Sequence, residues 1–170
     1  MIKGNMLRFC AAGIFGYSLL AEASTSETRN ILLILNSPQP TCNVSVVPLL
    51  DLGALAIGEQ KHTEFPVNIA CSGTIKNALT AKNLNGTLQA NQTEVAVQMQ
   101  NTGGGNGPFL RLEDSIGQKV KLTGQTMDSF CTVTSGGSRN CMLTPVTRTE
   151  VDSGWGSGSV TLRFEIVYPT

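Results

Sequence analysis

The end of the chain has an apolar side chain at every second position, and most of the positions between are polar or charged. From residue 160 to residue 168, every second position is aliphatic or aromatic: Val160, Leu162, Phe164, Ile166 and Tyr168. Successive side chains of a β-strand point to opposite faces, so this spacing predicts a strand with one apolar face. The sequence ends two residues later, at Thr170. We therefore expect another polypeptide to cover the second edge of this strand.

Short strands and turns are predicted for the rest of the chain. A content of 41% hydrophobic and 14% charged residues is typical of a folded domain. Eighteen glycines, together with Val, Thr and Leu runs between Gly, Asn and Ser clusters, favour an all-β sandwich. No linker divides the sequence after residue 41 into two domains. The predicted strands span residues 31–35, 41–47, 64–71, 77–81, 94–99, 108–112, 119–122, 128–134, 142–149 and 159–168.

The charge balance limits the choice of partner. Twelve basic and twelve acidic side chains give a formal net charge of zero. A near-neutral chain offers no electrostatic support for binding nucleic acid or an anionic membrane surface. We therefore expect no nucleic-acid partner.

The first 23 residues have the pattern of a secretory signal peptide. Lys3 and Arg8 precede an apolar run at residues 9–20, and Ala21-Glu-Ala23 matches a cleavage site. The alternative is an uncleaved anchor helix, although the run is short for a bilayer span. We predict cleavage before Ser24 and export of the remainder.

Export places the remaining cysteines in an oxidising compartment. Cys42, Cys71, Cys131 and Cys141 allow three pairings, of which we favour Cys42 with Cys71 and Cys131 with Cys141. The second pair brackets a Ser-Gly-Gly turn signal, which predicts a cross-linked hairpin. A zinc site is the competing hypothesis, but neither pair has C-x-x-C spacing and His62 is the only histidine. We predict no metal and no cofactor.

Motifs for catalysis are missing from the sequence. There is no Gly-x-Ser-x-Gly elbow, and the glycine-rich segment at residues 101–107 has no following Gly-Lys-Ser/Thr. Glu113 with Asp114, and Glu150 with Asp152, are close in sequence, but such pairs are usually turn or surface charges. We therefore expect a protein that is not an enzyme.

Three segments in order resemble the pilin subunits of bacterial chaperone–usher fimbriae. They are Cys42-Asn-Val-Ser-Val-Val-Pro-Leu-Leu-Asp-Leu-Gly53, the alternating strand at residues 64–71 that ends in Cys71, and residues 156–168 with Gly156 and Tyr168 at their ends. The resemblance implies an incomplete immunoglobulin-like sandwich at residues 41–170 that lacks its last strand. It also implies a groove beside the final strand. The residues expected to form this acceptor site are Gly156, Val160, Leu162, Phe164, Ile166 and Tyr168.

The same resemblance implies partners and a location. A periplasmic pilus chaperone would lend a strand to the groove. At the outer-membrane usher, the N-terminal extension of a neighbouring fimbrial subunit would replace that strand. The chain would then pass through the periplasm into a fimbrium on the bacterial cell surface.

Residues 24–40 contain a candidate donor strand. Ile31, Leu33 and Leu35 would point into a neighbour's groove. The segment departs from the family pattern because Leu32 and Ile34 are also apolar and residues 24–40 contain no glycine. The alternative is an ordinary first strand of a self-contained sandwich.

Two functions follow from these expectations. The first is a structural or adaptor fimbrial subunit assembled by donor-strand exchange. The second is a single-domain tip adhesin, or another terminal subunit, that binds a host receptor through the segment at residues 131–141 or the loop at residues 103–107.

Overall fold

The computed structural model describes residues 31–101 and 107–169. The predicted signal peptide, residues 24–30 and residues 102–106 of the glycine-rich segment lie outside the described residues. The chain divides into two units, Met1–Ser37 and Pro38–Thr170. The described residues of the first unit, 31–37, have no regular secondary structure.

Strands make up nearly all of the regular structure described in the second unit. A single 3-10 turn, Thr126–Asp128, lies among them. The strands are β1 (Cys42–Val46), β2 (Gly58–Lys61), β3 (Phe65–Cys71), β4 (Ile75–Asn83), β5 (Thr87–Leu88), β6 (Glu94–Ala96), β7 (Met99–Asn101), β8 (Phe109–Asp114), β9 (Phe130–Gly136), β10 (Arg139–Thr149), β11 (Trp155–Gly158) and β12 (Leu162–Val167).

The strands form two main antiparallel sheets. The larger has the order β1, β3, β10, β8, β6, β5, and β2 pairs with the second half of β10. The smaller has the order β12, β4, β9, and β11 pairs with β7 separately. Apolar residues of both sheets form one core. This is the all-β sandwich that the residue patterns predict, in the incomplete immunoglobulin-like form that the resemblance implies.

The core follows from the alternation of the strands. Phe65, Val67 and Ile69 of β3 are buried, whereas Asn68 between them is exposed. The ring of Phe65 meets that of Phe164 on β12 edge to face, with centroids 6.4 Å apart. Aromatic pairs favour this geometry. The contact joins the larger sheet to the strand whose pattern is clearest in the sequence.

Both favoured cysteine pairs are bonded in the structure. Cys42 and Cys71 lie directly opposite each other on β1 and β3. The second disulfide, Cys131 to Cys141, does not lie across a hairpin as predicted. β9 pairs with β4 and β10 pairs with β3, so this disulfide links the two sheets. The prediction of a cross-linked hairpin is therefore wrong, because the chain changes sheets between the two cysteines.

Several predicted strands differ from those observed. Residues 31–35 form no strand, and all five side chains are at least 70% exposed. Residues 119–122 form only an isolated bridge, although Val120 and Leu122 are buried in the core. Residues 94–99 are interrupted between β6 and β7. At residues 119–122, alternation therefore marks buried side chains but not a paired strand, and at residues 31–35 the apolar side chains are neither buried nor part of a strand.

Candidate strand-accepting groove

A groove lies between β1 and β12, at an edge of each main sheet. Among the described residues, β1 pairs only with β3 and β12 pairs only with β4. The groove has a volume of about 540 Å³ and is open to solvent. Its lining residues are Cys42, Asn43, Val44, Phe164, Glu165, Ile166 and Tyr168.

The β1 wall of the groove is set by alternation and by one disulfide. Cys42, Val44 and Val46 are half-buried against the core, whereas Asn43 and Ser45 are exposed. The bond from Cys42 to Cys71 fixes the first residue of the strand to β3. This wall therefore presents an apolar row that is only partly covered.

The β12 wall has the same alternation of half-buried apolar and exposed side chains as the β1 wall. Leu162, Phe164 and Ile166 are half-buried and pack on the core, and Arg163 and Glu165 are exposed. Arg163 and Glu165 form an ion pair at 3.4 Å, and Glu165 also lines the groove, so the apolar row lies beside a carboxylate that is paired with Arg163. In a closed sandwich these positions would be fully buried. Half-burial in both walls shows that a layer of the core is uncovered here.

The backbone of β12 directs hydrogen-bonding groups into the same gap. In an antiparallel pair, alternate residues turn both N–H and C=O towards the neighbour. The Leu84 N–H donates to the Thr161 carbonyl at 3.0 Å, which sets Thr161, Arg163 and Glu165 towards β4. The backbone groups of the residues between them, Leu162, Phe164 and Ile166, therefore face the gap.

The backbone of β1 follows the same rule. The Ser72 N–H donates to the Thr41 carbonyl at 2.9 Å, so Thr41, Asn43 and Ser45 turn towards β3. Cys42, Val44 and Val46 then turn towards β12. Each wall thus combines inward apolar side chains with backbone groups that face the gap, which are the groups that strand addition uses. Parts of β1 and β12 lie within 8 Å of each other, so the walls would have to separate to admit a strand between them.

The comparisons with known proteins find likenesses among solved structures. Neither a scan of protein-family models nor a search of curated protein sequences finds a match. Among solved structures, the chain is similar to the crystal structure of the P pilus rod subunit PapA, with 19% sequence identity and a TM-score of 0.49. The likeness covers 75% of this chain and 99% of that chain.

The predicted acceptor residues fall in three places. Leu162, Phe164 and Ile166 lie in β12, and Val160 precedes the strand while still packing on the core. Tyr168 follows the strand and lines the groove. Gly156 lies apart from them in β11, with φ +96, a conformation that favours glycine.

The predicted donor residues are exposed. Ile31 is 80% exposed, Leu33 70% and Leu35 89%. Within the described residues, these three side chains make no contact that would support a donor role. The donor role stays a prediction.

The acidic residues that the sequence singles out hold structure together. Glu113 accepts hydrogen bonds from Lys61 at 2.7 Å and from Arg111 at 3.0 Å, and these cations keep its pKa below the ordinary value. The Asp114 carboxylate accepts the N–H groups of Ile116 and Gln118 and so closes a turn.

Residues 31–101 and 107–169 contain no group of three or more His, Cys, Asp or Glu that could hold a metal ion. They also contain no helix long and apolar enough to span a membrane. Of the predicted receptor-binding segments, the loop at residues 103–107 is described only at Gly107.

The sequence predicts a strand at residues 41–47 but does not indicate that it forms a wall of the groove. The signal was present, because Cys42, Val44 and Val46 alternate with Asn43 and Ser45 as clearly as the residues of β12 do. The position of β1 beside β12 depends on a pairing of distant segments, and alternation alone does not contain it.

Proposed function

We propose that this chain is a structural or adaptor fimbrial subunit that accepts a β-strand from another polypeptide and polymerises by donor-strand exchange. A periplasmic chaperone supplies the strand first, and the N-terminal extension of a neighbouring subunit replaces it at the outer-membrane usher. The subunit then forms part of a fimbrium that serves in cell adhesion. The gap between β1 and β12 is the observation that carries this proposal.

Strand addition explains the two unusual properties of the gap. Main-chain hydrogen bonds from Val44, Leu162, Phe164 and Ile166 supply affinity that does not depend on sequence, and the uncovered apolar rows select the side chains of the donor. An exposed edge with an apolar face promotes aggregation, so a chaperone that covers it is expected during export.

The N-terminal extension supplies a donor of matching length. Ile31, Leu33 and Leu35 recur every second residue over about 13 Å of extended chain. Leu162, Phe164 and Ile166 recur at the same interval in β12. Burial of one leucine contributes about 1.5 to 3 kcal/mol, so three such contacts suit a stable complex.

A peptide covering residues 28–39 tests the proposal. We expect it to bind the purified chain and to displace a co-purified periplasmic chaperone. The same peptide with L33D should not bind, because a carboxylate would be buried without a partner. L32D is the matched control, since its side chain points away from the groove in the same strand and binding should persist.

Two outcomes separate the alternatives. If the chain depends on a chaperone but no peptide from its own extension binds, it accepts a strand without donating one. That result would favour the tip adhesin or terminal subunit. A stable monomer that binds neither chaperone nor strand peptide contradicts strand acceptance altogether.

A further inference from the structure

Tyr168 lies where the beginning of β1 meets the end of β12. Its hydroxyl accepts a hydrogen bond from the Cys42 N–H at 3.0 Å. The side chain lines the groove and is 44% exposed. This contact joins the two walls of the groove at one end.

The Cys42 N–H is one of the groups that an added strand would otherwise use. Because Thr41 turns its backbone towards Ser72, the next residue turns its backbone into the gap. The Tyr168 hydroxyl therefore occupies a hydrogen-bond donor, the Cys42 N–H, that belongs to the open edge of β1. The corresponding groups of Val44 and Val46 have no such partner among the residues that the structure describes.

Both partners of this contact are held in place. Cys42 is bonded to Cys71, and Tyr168 directly follows the last residue of β12, Val167, which is paired with Ala78. A strand that reached Cys42 would have to break the hydrogen bond and move the ring. It would gain no additional hydrogen bond at the Cys42 N–H, since one bond would be exchanged for another.

We propose that Tyr168 is an end stop that sets the register of the strand entering this groove. The inference rests on the proposed function, because it assumes that a strand enters. A slip of one residue turns the donor's apolar row to the wrong face, but a slip of two residues keeps the correct face. Tyr168 blocks the two-residue slip in one direction, so the strand begins its pairing at Val44.

Peptides lengthened at one end test the end stop. The starting peptide covers residues 30–37, and two alanines are added at its N-terminus or at its C-terminus. In the unaltered chain, the addition that points towards Tyr168 should not tighten binding. In Y168F, which keeps the ring and loses the hydroxyl, the same addition should tighten binding about fivefold through one further hydrogen bond. The other addition should act equally on both proteins.

If Tyr168 were only structural, Y168F would be less stable than the unaltered chain, but each alanine addition would change peptide affinity equally in the two proteins. Equal effects of both additions on the unaltered chain and on Y168F would therefore overturn the end stop while the proposed function stands. If the starting peptide binds neither protein, the proposed function fails, and the end stop fails with it.

A second measurement does not need the variant. In the unaltered chain, the Val44 amide should exchange at least tenfold more slowly when the starting peptide is bound. The Cys42 amide should exchange at the same rate in both states, because Tyr168 keeps it bonded. A peptide that displaces Tyr168 and changes the Cys42 rate contradicts the proposal.

Discussion

Replacing Arg111 with methionine is expected to lower the free energy of unfolding by about 3 kcal/mol. The Arg111 side chain is 6% exposed and lies 2.9 Å from Glu113 and 2.8 Å from Glu59. Removing it leaves the Glu113 carboxylate, which is 8% exposed, with Lys61 as its remaining cation. Breaking a buried ion pair costs about 3 to 5 kcal/mol, and Lys61 keeps the cost at the lower end.

R163M is the matched control for this experiment. Arg163 also pairs with a glutamate, but its side chain is 54% exposed and the pair distance is 3.4 Å. An exposed ion pair contributes under about 1 kcal/mol, so R163M should unfold at nearly the denaturant concentration of the unaltered chain. Denaturant unfolding measures both variants, and equal losses would contradict the buried role of Arg111. Adding E113Q to R111M should restore part of the loss.

The same cluster predicts sensitivity to acid. Lys61 and Arg111 hold the pKa of Glu113 below 4.5, and Arg111 does the same for Glu59. A lowered folded-state pKa gives stability that is present above the unfolded-state value and is lost as the pH falls through the folded-state value. The unaltered chain should therefore lose stability below pH 4.5, and R111M should lose less over the same range.

The disulfide at the groove should matter more than the disulfide between the sheets. Cys42 and Cys71 are 29 residues apart, and Cys131 and Cys141 are 10 apart. Loop-closure entropy then gives about 3.6 kcal/mol for the first bond and about 2.7 kcal/mol for the second. We expect C42A/C71A to be the less stable double variant in thermal unfolding.

Strand binding separates the two disulfides further. Cys42 begins the β1 wall, so C42A/C71A should weaken binding of the residue 28–39 peptide at least tenfold. C131A/C141A leaves both walls in place and should bind within about twofold of the unaltered chain, at a temperature where both variants are folded. Equal weakening in the two variants would show that the first disulfide has no special role at the groove.

The sequence predicts the features of this fold that depend on local alternation. The apolar row of β12 and the strand that ends in Cys71 follow from alternation. Both favoured cysteine pairs are bonded, although the hairpin that favoured the second pair is not observed. The position of β1 beside β12 does not, because it arises from pairings between segments far apart in the chain.

Polar contacts over long sequence distances were not predictable either. β2 has the sequence Gly-Glu-Gln-Lys, without apolar alternation, and forms a strand because β10 offers it an edge. Its Glu59 and Lys61 reach Arg111 and Glu113, each 52 residues away in sequence. Likewise, Arg139 donates a hydrogen bond to the fully buried Asn77, which is 62 residues away in sequence. No local sequence pattern predicts this contact.

Residue-resolved amide exchange along β12 tests strand acceptance most directly. In the chain without a partner, the amides of Arg163 and Glu165 should exchange slowly, because they face β4, and those of Leu162, Phe164 and Ile166 should exchange fast. Binding of the residue 28–39 peptide or of the chaperone should slow the fast set at least tenfold. Unchanged rates for Leu162, Phe164 and Ile166 under saturating partner would contradict the proposal that this groove accepts a strand.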